Sequence, residues 1–273
     1  MKVILFLMNI LPIFCLGQNV KVMSYNIRYD NNFDGINSWT EGNRKEKVFN
    51  IIENTKPDIF GVQEALVHQV KDLEQHFPEF QREGIGRDDG KEAGEHSAIF
   101  FLKEKFKLLE KGDFWLSETP NIPSKGWDAT CCNRICSWVK LQDKKNIFWV
   151  FNVHFDHEGK IAQLQSADLI LQKIKEITNG GKVILMGDFN MYPNNPAVIK
   201  ITSQMYDTQH SKTNKMTFED TFNAFKLNEP LKGRIDYIFL QGKMKVKKYE
   251  TIPQRIEGLY PSDHFPVVVQ LKF

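Results

Sequence analysis

Lys182-Val183-Ile184-Leu185-Met186-Gly187-Asp188-Phe189-Asn190 is an apolar, strand-like run that ends in a carboxylate and a carboxamide. A second segment repeats the arrangement in reverse: Pro261-Ser262-Asp263-His264-Phe265-Pro266 leads into the apolar run Val267 to Leu271. Polar groups at strand tips on a rigid scaffold are where catalytic side chains concentrate. A carboxylate, a carboxamide and an Asp-His pair are also the parts needed to hold a hard cation and hydrolyse a phosphate ester.

The rest of the chain sets the frame for these two segments. At 273 residues and 41% hydrophobic content it can bury a large core, and no repeat period or low-complexity linker divides it. One large domain over 18–273 is expected. A formal charge of +2 is too small to announce a nucleic-acid binder, although a local basic groove can hide within a neutral total.

The first residues differ. Lys2 precedes an apolar stretch from Val3 to Leu16, and Cys15-Leu16-Gly17 places small residues at the −3 and −1 positions of a cleavage site. This reads as a signal peptide over 1–17, cut before Gln18, and predicts an exported protein, periplasmic or secreted, with no integral membrane segment in the mature chain. Cys131, Cys132 and Cys136 would then remain. An odd count allows at most one internal disulfide, neighbours are poorly placed to bridge each other, and a zinc site lacks a fourth ligand at convincing spacing.

Alternation and helical spacing predict the elements. Strands are expected at Asn19 to Asn26, Ile59 to Val62 running into Gln63-Glu64, Ser97 to Leu102, Phe106 to Trp115, Ile135 to Leu141, Ile147 to His154, Lys182 to Met186, Ile235 to Leu240, Met244 to Tyr249 and Pro266 to Phe273. Helices are expected at Arg44 to Asn54, Leu66 to Phe77 and Ile161 to Ile177. Ser97 to Leu102 and Phe106 to Trp115 read as neighbouring strands, and Ile135 to His154 as a hairpin across Asp143-Lys144-Lys145. Adjacent strand pairs mixed with strand-helix-strand crossings argue for an α+β layered sandwich with mixed sheets.

In chain order the candidate site residues are Asn26, Glu64, Glu95, His154, Asp188, Asn190, Asp236, Asp263 and His264. Oxygen ligands of this kind suit Mg²⁺, with Mn²⁺ or Ca²⁺ as alternatives. Two histidines, each with a carboxylate available to favour imidazolium, could grip a phosphate while a base orients water. Each residue also fits a structural role alone: Asn26 a turn, Glu64 a helix start, Asp236 a partner for Arg234, Asp263-His264 a polar strand start. Together they form one chemically complete set.

The segments Ser24-Tyr25-Asn26, Gln63-Glu64, Asn152-Val153-His154, Gly187-Asp188-Phe189-Asn190, Arg234-Ile235-Asp236-Tyr237 and Ser262-Asp263-His264 resemble, in order, those of the endonuclease/exonuclease/phosphatase superfamily. The resemblance implies a deoxyribonuclease I-like fold, a four-layer α/β/β/α sandwich of two packed mixed β-sheets flanked by helices, and a metal-dependent phosphoester hydrolase acting by in-line attack of water. It implies Glu64 as principal metal ligand with Asn26 beside it and Asp263 facing the same region. Asp188 and Asn190 would position water and phosphate, Asp236 would hold His264 against the phosphate, and Glu95 would partner His154. Which residue takes the proton stays open.

Gly86-Arg87-Asp88-Asp89-Gly90, Phe114-Trp115-Leu116-Ser117, Gly126-Trp127-Asp128 and His154-Phe155-Asp156-His157 are similar to a bacterial, often exported, subgroup. Asp156 and His157 are candidates for lining the substrate pocket, or for capping the helix near Lys160. Trp127 is a candidate substrate contact and Trp115 a packing residue. A monomer is expected. The substrate expected first is nucleic acid, with phospholipid or inositol/sugar phosphate as the alternative and a catalytically silent binding module on the same fold as the reading from another class. Lys243, Lys245, Lys247 and Lys248 fit a solvated edge better than a nucleic-acid stripe, and no Trp-Phe-rich loop suited to a membrane stands out.

Overall fold

The computed structural model describes residues 19–211 and 220–273; the expected signal peptide lies outside them. Two six-stranded mixed sheets carry the fold. The first has the order β11-β12-β1-β2-β4-β3, built from β11 (Lys245–Thr251), β12 (Val267–Lys272), β1 (Asn19–Asn26), β2 (Ile59–Ala65), β4 (His96–Leu102) and β3 (Phe80–Glu83). The second has the order β5-β6-β7-β8-β10-β9, from β5 (Lys107–Trp115), β6 (Ile135–Gln142), β7 (Ile147–His154), β8 (Lys182–Asp188), β10 (Asp236–Gln241) and β9 (Tyr206–Asp207). The pairs β1/β2 and β7/β8 are parallel, and the other pairs are antiparallel.

Three apolar clusters define four layers. Val22, Ile59, Ile99, Val150, Ile184, Ile238 and Val269 pack between the sheets. Met23, Phe60 and Phe100 face helices α1 (Arg44–Thr55) and α2 (Val67–His76), while Phe151, Leu185 and Phe239 face α3 (Lys160–Thr178) and α4 (Pro196–Thr202). Odd and even residues of β8 therefore serve different layers: Val183 and Leu185 reach the helices, Ile184 and Met186 the facing sheet. That is the two-residue period of a strand buried on both sides.

The α/β/β/α sandwich is the expected one, with one correction. β4 and β5 are not neighbours: β4 pairs with β2 and β3, and β5 with β6 in the other sheet. The chain crosses between sheets at Phe106, whose buried ring meets Phe148 edge-on in the inter-sheet core. β3, α4 and β9 were not expected from sequence because they are short or polar; α4 is signalled only by Pro196 at its start and the Asn195 cap. Cys131 and Cys132 also depart from expectation. They are joined in a vicinal disulfide within the loop before β6, where no sheet ladder constrains the backbone, and Cys136 is the buried free thiol. No helix among the described residues is long and apolar enough to cross a membrane.

Candidate active site

The inter-sheet core ends in a polar cap, and strand alternation explains its membership. On β1 the positions facing the second sheet run Val20, Val22, Ser24, Asn26; on β7 they run Phe148, Val150, Asn152, His154. On β8 they run Ile184, Met186, Asp188, and on β10, in reverse, Leu240, Ile238, Asp236. Register brings these ends together, because Asp188 lies opposite His154 on one side and Asp236 on the other. One layer below, the Gln63 amide donates to Asn152 Oδ1 at 2.6 Å, and Asn152 donates to the carbonyls of Val62 and Ala98 at 2.9 Å each. These bonds tie the two sheets beneath the cap.

Local backbone departures aim the remaining groups. A bulge in β2 between Val62 and Ala65 contains Glu64 at φ 65°, a left-handed conformation uncommon for this residue, which removes its carboxylate from the strand alternation. Asn190 is left-handed too, at φ 51°. Gly187 has φ 147°, and a Cβ there would run into the Val153 carbonyl, so only glycine lets β8 approach β7 just before Asp188.

Asn26 Nδ2 sits between two carboxylates, donating to Glu64 Oε1 at 3.0 Å and Asp188 Oδ2 at 2.9 Å. The other Asp188 oxygen accepts from the Asn190 backbone N–H at 2.8 Å. His264 Nδ1 is 2.9 Å from Asp236 Oδ2, and its Nε2 is 3.7 Å from Asp188 Oδ2. His154 Nε2 receives Arg134 Nη1 and Asn190 Nδ2, both at 3.0 Å. His154 Nδ1 faces Glu95 Oε2 at 3.5 Å, and Glu95 in turn accepts from Arg87 Nη1 at 2.6 Å.

The two histidines differ electrostatically. Burial pushes the His264 imidazole toward neutrality, but the Asp236 and Asp188 carboxylates outweigh it and hold the pKa well above the usual value, so this ring is an imidazolium. For His154, burial comes first and the Arg134 guanidinium adds to it, bringing the pKa down to about 3. His154 is therefore neutral, with Nε2 as acceptor. This corrects the expectation that both rings have a carboxylate that favours the imidazolium: burial, with the Arg134 guanidinium added, outweighs the carboxylates near His154. Burial raises the Asp188 and Asp263 pKa values, against the pull of His264.

Glu64, Asp188 and His264 offer atoms that all lie within 4.8 Å of one another. The two carboxylates that converge there, Glu64 and Asp188, suit a hard divalent cation, while His264, being protonated, would not ligate one. Asp263 stands slightly apart: Arg28 lies between it and Glu64, at 3.9 Å from each. Asp236 holds His264 and not Arg234, which pairs with Asp207 at 2.6 Å.

The outer candidates take other places. Buried Asp156 accepts from the backbone N–H groups of Glu158 and Gly159 and lies 3.5 Å from Arg134, so it caps the loop before α3. His157 Nδ1 is 2.8 Å from Arg134 Nη2 at the rim. Trp127 is half-buried in the loop before β6, its backbone N–H donated to Glu118. Trp115 is a packing residue, with Nε1 donated to the Arg87 carbonyl at 2.6 Å.

Two arginines went unnoticed in the sequence. Arg134 links His154, His157 and Asp156, and Arg28 links Glu64, Asp263 and Asp34. The hairpin pairing of Cys136 with Val153 held the signal for Arg134, because extending that register sets Arg134 beside the segment after His154. Arg28 gave no comparable signal.

Comparison with known proteins agrees with this geometry. The model of the Endonuclease/Exonuclease/phosphatase family matches residues 23–264. An endonuclease/exonuclease/phosphatase family protein from Bacteroides thetaiotaomicron superposes with a TM-score of 0.89 at 40% identity, covering 94% of this chain and 98% of that one. A mannosyl-6-phosphatase from the same bacterium superposes with a TM-score of 0.85, also at 40% identity, covering 93% and 100%. An uncharacterised protein of Acanthamoeba polyphaga mimivirus is 26% identical over 284 residues, covering 92% of this chain and 99% of its own. The chain belongs to the endonuclease/exonuclease/phosphatase family.

Proposed function

We propose that the chain is an exported, divalent-metal-dependent hydrolase that removes a phosphate group from a sugar. The observation that carries the reaction is the pair His264–Asp236 set beside Asp188 and Asn190 at the closed end of the sandwich. It is a charged donor next to a carboxylate pinned through its other oxygen. Glu64, with Asn26 and Asp263 at the margin, would hold the cation, Mg²⁺ first and Mn²⁺ or Ca²⁺ next. When bound it neutralises charge on the phosphoryl oxygens.

In this reading His264 Nε2 donates to a phosphoryl oxygen, and Asp236 keeps that proton in place. Asp188 accepts the proton of the attacking water as the water oxygen bonds to phosphorus, a role suited to a carboxylate whose affinity for protons is raised by burial. The in-line bond from phosphorus to the sugar oxygen breaks, and that oxygen leaves as a hydroxyl with a proton from solvent. Arg134 converges from the other side and supplies guanidinium donors to the same phosphate, with Asn190 bracing His154 beside it. His154 contributes its neutral ring between them, steadied by Glu95 and Arg87.

Two observations favour a phosphorylated sugar over nucleic acid. The 40%-identical mannosyl-6-phosphatase is similar along the whole chain. The exposed lysines of β11 lie on an edge strand, and Lys245 pairs with Lys272 at the end of the sheet remote from His264. β12 alone puts about 15–20 Å between them and the site. They cannot line a groove at the carboxylates.

Phosphate release from mannose 6-phosphate, with Mg²⁺ and with EDTA, tests the reading. Plasmid DNA, RNA and phosphatidylcholine are run beside it. Release from the sugar phosphate that EDTA abolishes is expected. Cleavage of nucleic acid or lipid with none of the sugar phosphate overturns the substrate assignment, and activity indifferent to EDTA overturns the metal dependence.

A further inference from the structure

Between β1 and α1 the chain makes a short 3₁₀ segment, Asn32–Asn37, that leaves two apolar side chains in water: Phe33 is 96% exposed and Ile36 67%. Isolated exposed apolar residues need no explanation. This pair stands in a different position, because Asp34 between them is held by Arg28 Nε and Nη2 at 3.1 Å each. The same guanidinium lies 3.9 Å from both Glu64 and Asp263. The exposed pair is therefore carried one ion pair away from the candidate catalytic carboxylates.

The segment is also fixed. The Asn31 side chain accepts from the Phe33 N–H at 2.9 Å, and Trp39 N–H donates to Asp30 at 3.2 Å. Arg44, fully buried, closes the loop from beneath, donating to the carbonyls of Ile27, Arg28 and Asn37. The backbone that carries the ring is thus ordered before anything packs on it, so only the side-chain torsions are left to fix.

We propose that Phe33 and Ile36 form the wall on which the sugar ring of the leaving group packs while its phosphate lies at His264 and Asp188. This rests on the sugar-phosphate reading above and names the residues that select the leaving group. The chemistry around the pair supports a sugar. An aromatic face suits the C–H face of a pyranose, and Asn32, Asp34 and Asn37 beside it offer the amide and carboxylate partners that hydroxyls need. A membrane surface is the poorer fit, because from Tyr29 to Gly42 the chain has Asp30, Asp34 and Glu41 and no lysine or arginine.

The test uses the full mature chain, with mannose 6-phosphate and ring-free methyl phosphate as substrates for the wild type, Phe33→Ala and Phe33→Trp. In Phe33→Ala the ratio of kcat/KM for the sugar phosphate over methyl phosphate is expected to fall about fivefold, through KM, as for loss of one ring contact. Phe33→Trp is expected to restore it. A second readout needs no turnover: the ring signal of Phe33, labelled with ¹³C and assigned by its loss in Phe33→Leu, should shift on adding mannose 6-phosphate. A ring shift without phosphate release keeps this contact and overturns the proposed reaction. Phosphate release with neither a ring shift nor a changed ratio overturns this inference alone. Binding to phosphatidylcholine vesicles that Phe33→Ala abolishes, with the ratio untouched, also overturns it and assigns the pair to lipid.

Discussion

Replacing Asp236 by Asn separates charge from shape at the centre of the site. The amide can still accept from His264 Nδ1, which now lies 2.9 Å from Asp236 Oδ2, but it cannot stabilise an imidazolium. A hydrogen bond to a charged partner is worth about 1.5–3 kcal/mol, so the variant should lower the His264 pKa by about one to two units. If His264 acts as a charged donor, kcat falls about 10- to 100-fold at neutral pH, with KM changing less. The wild-type pKa is raised in the folded state, so the stabilisation from this pair is fully present below the unfolded value and is lost as pH rises through the folded one. In Asp236→Asn that loss is smaller and is complete at lower pH. The assay is a pH–rate profile together with ¹⁵N NMR titration of the imidazole. An unchanged His264 titration, or a kcat within about twofold of wild type, would refute the charged-donor reasoning.

Three further outcomes are expected. Arg134→Met removes a donor from His154 Nε2, so the His154 pKa should rise from about 3 toward its ordinary range and phosphate affinity should fall. Arg134→Lys should rescue only partly, since one ammonium cannot reach both His154 and His157 as the guanidinium does; product-inhibition constants for inorganic phosphate measure both. Gly187→Ala forces a side chain into the Val153 carbonyl at a φ that alanine avoids, and should cost about 3 kcal/mol or more in urea unfolding. Glu64→Gln should abolish turnover with the fold intact by circular dichroism, and excess Mg²⁺ should recover little of it; full recovery would show that Glu64 is not a principal ligand.

Much of the site was legible because the chain announces it twice, in an apolar strand period and in the polar residue that ends each strand. The same two-residue step that buries Ile184 and Met186 delivers Asp188, and the step that buries Val20 and Val22 delivers Asn26. Sequence does not show which strands share a sheet: β4 and β5 follow each other with the spacing of neighbours, yet Phe106 carries the chain from one sheet to the other. Arg134 lies beside His154 by extension of the hairpin register, a signal that is easily passed over because a lone arginine ahead of a strand looks like any flanking charge. The neutral state of His154 follows from its burial and then from that contact, neither of which the residues around it in sequence display. Phe33 escaped notice because a single phenylalanine in a polar loop carries no periodicity, and only the Arg28–Asp34 pair ties it to the site.

The Cys131–Cys132 bond has a consequence for how the protein can be handled. A cross-link limits the unfolded chain by closing a loop, and the effect grows with the residues enclosed. Here the bonded residues are adjacent, so the ring encloses no intervening chain and takes almost nothing from the disorder of the unfolded state. Cys136 is buried and takes no part in it. Among the described residues nothing in the two-sheet core is stapled by sulfur, so the chain should reach its native fold in a reducing cytosol as well as in an oxidising compartment.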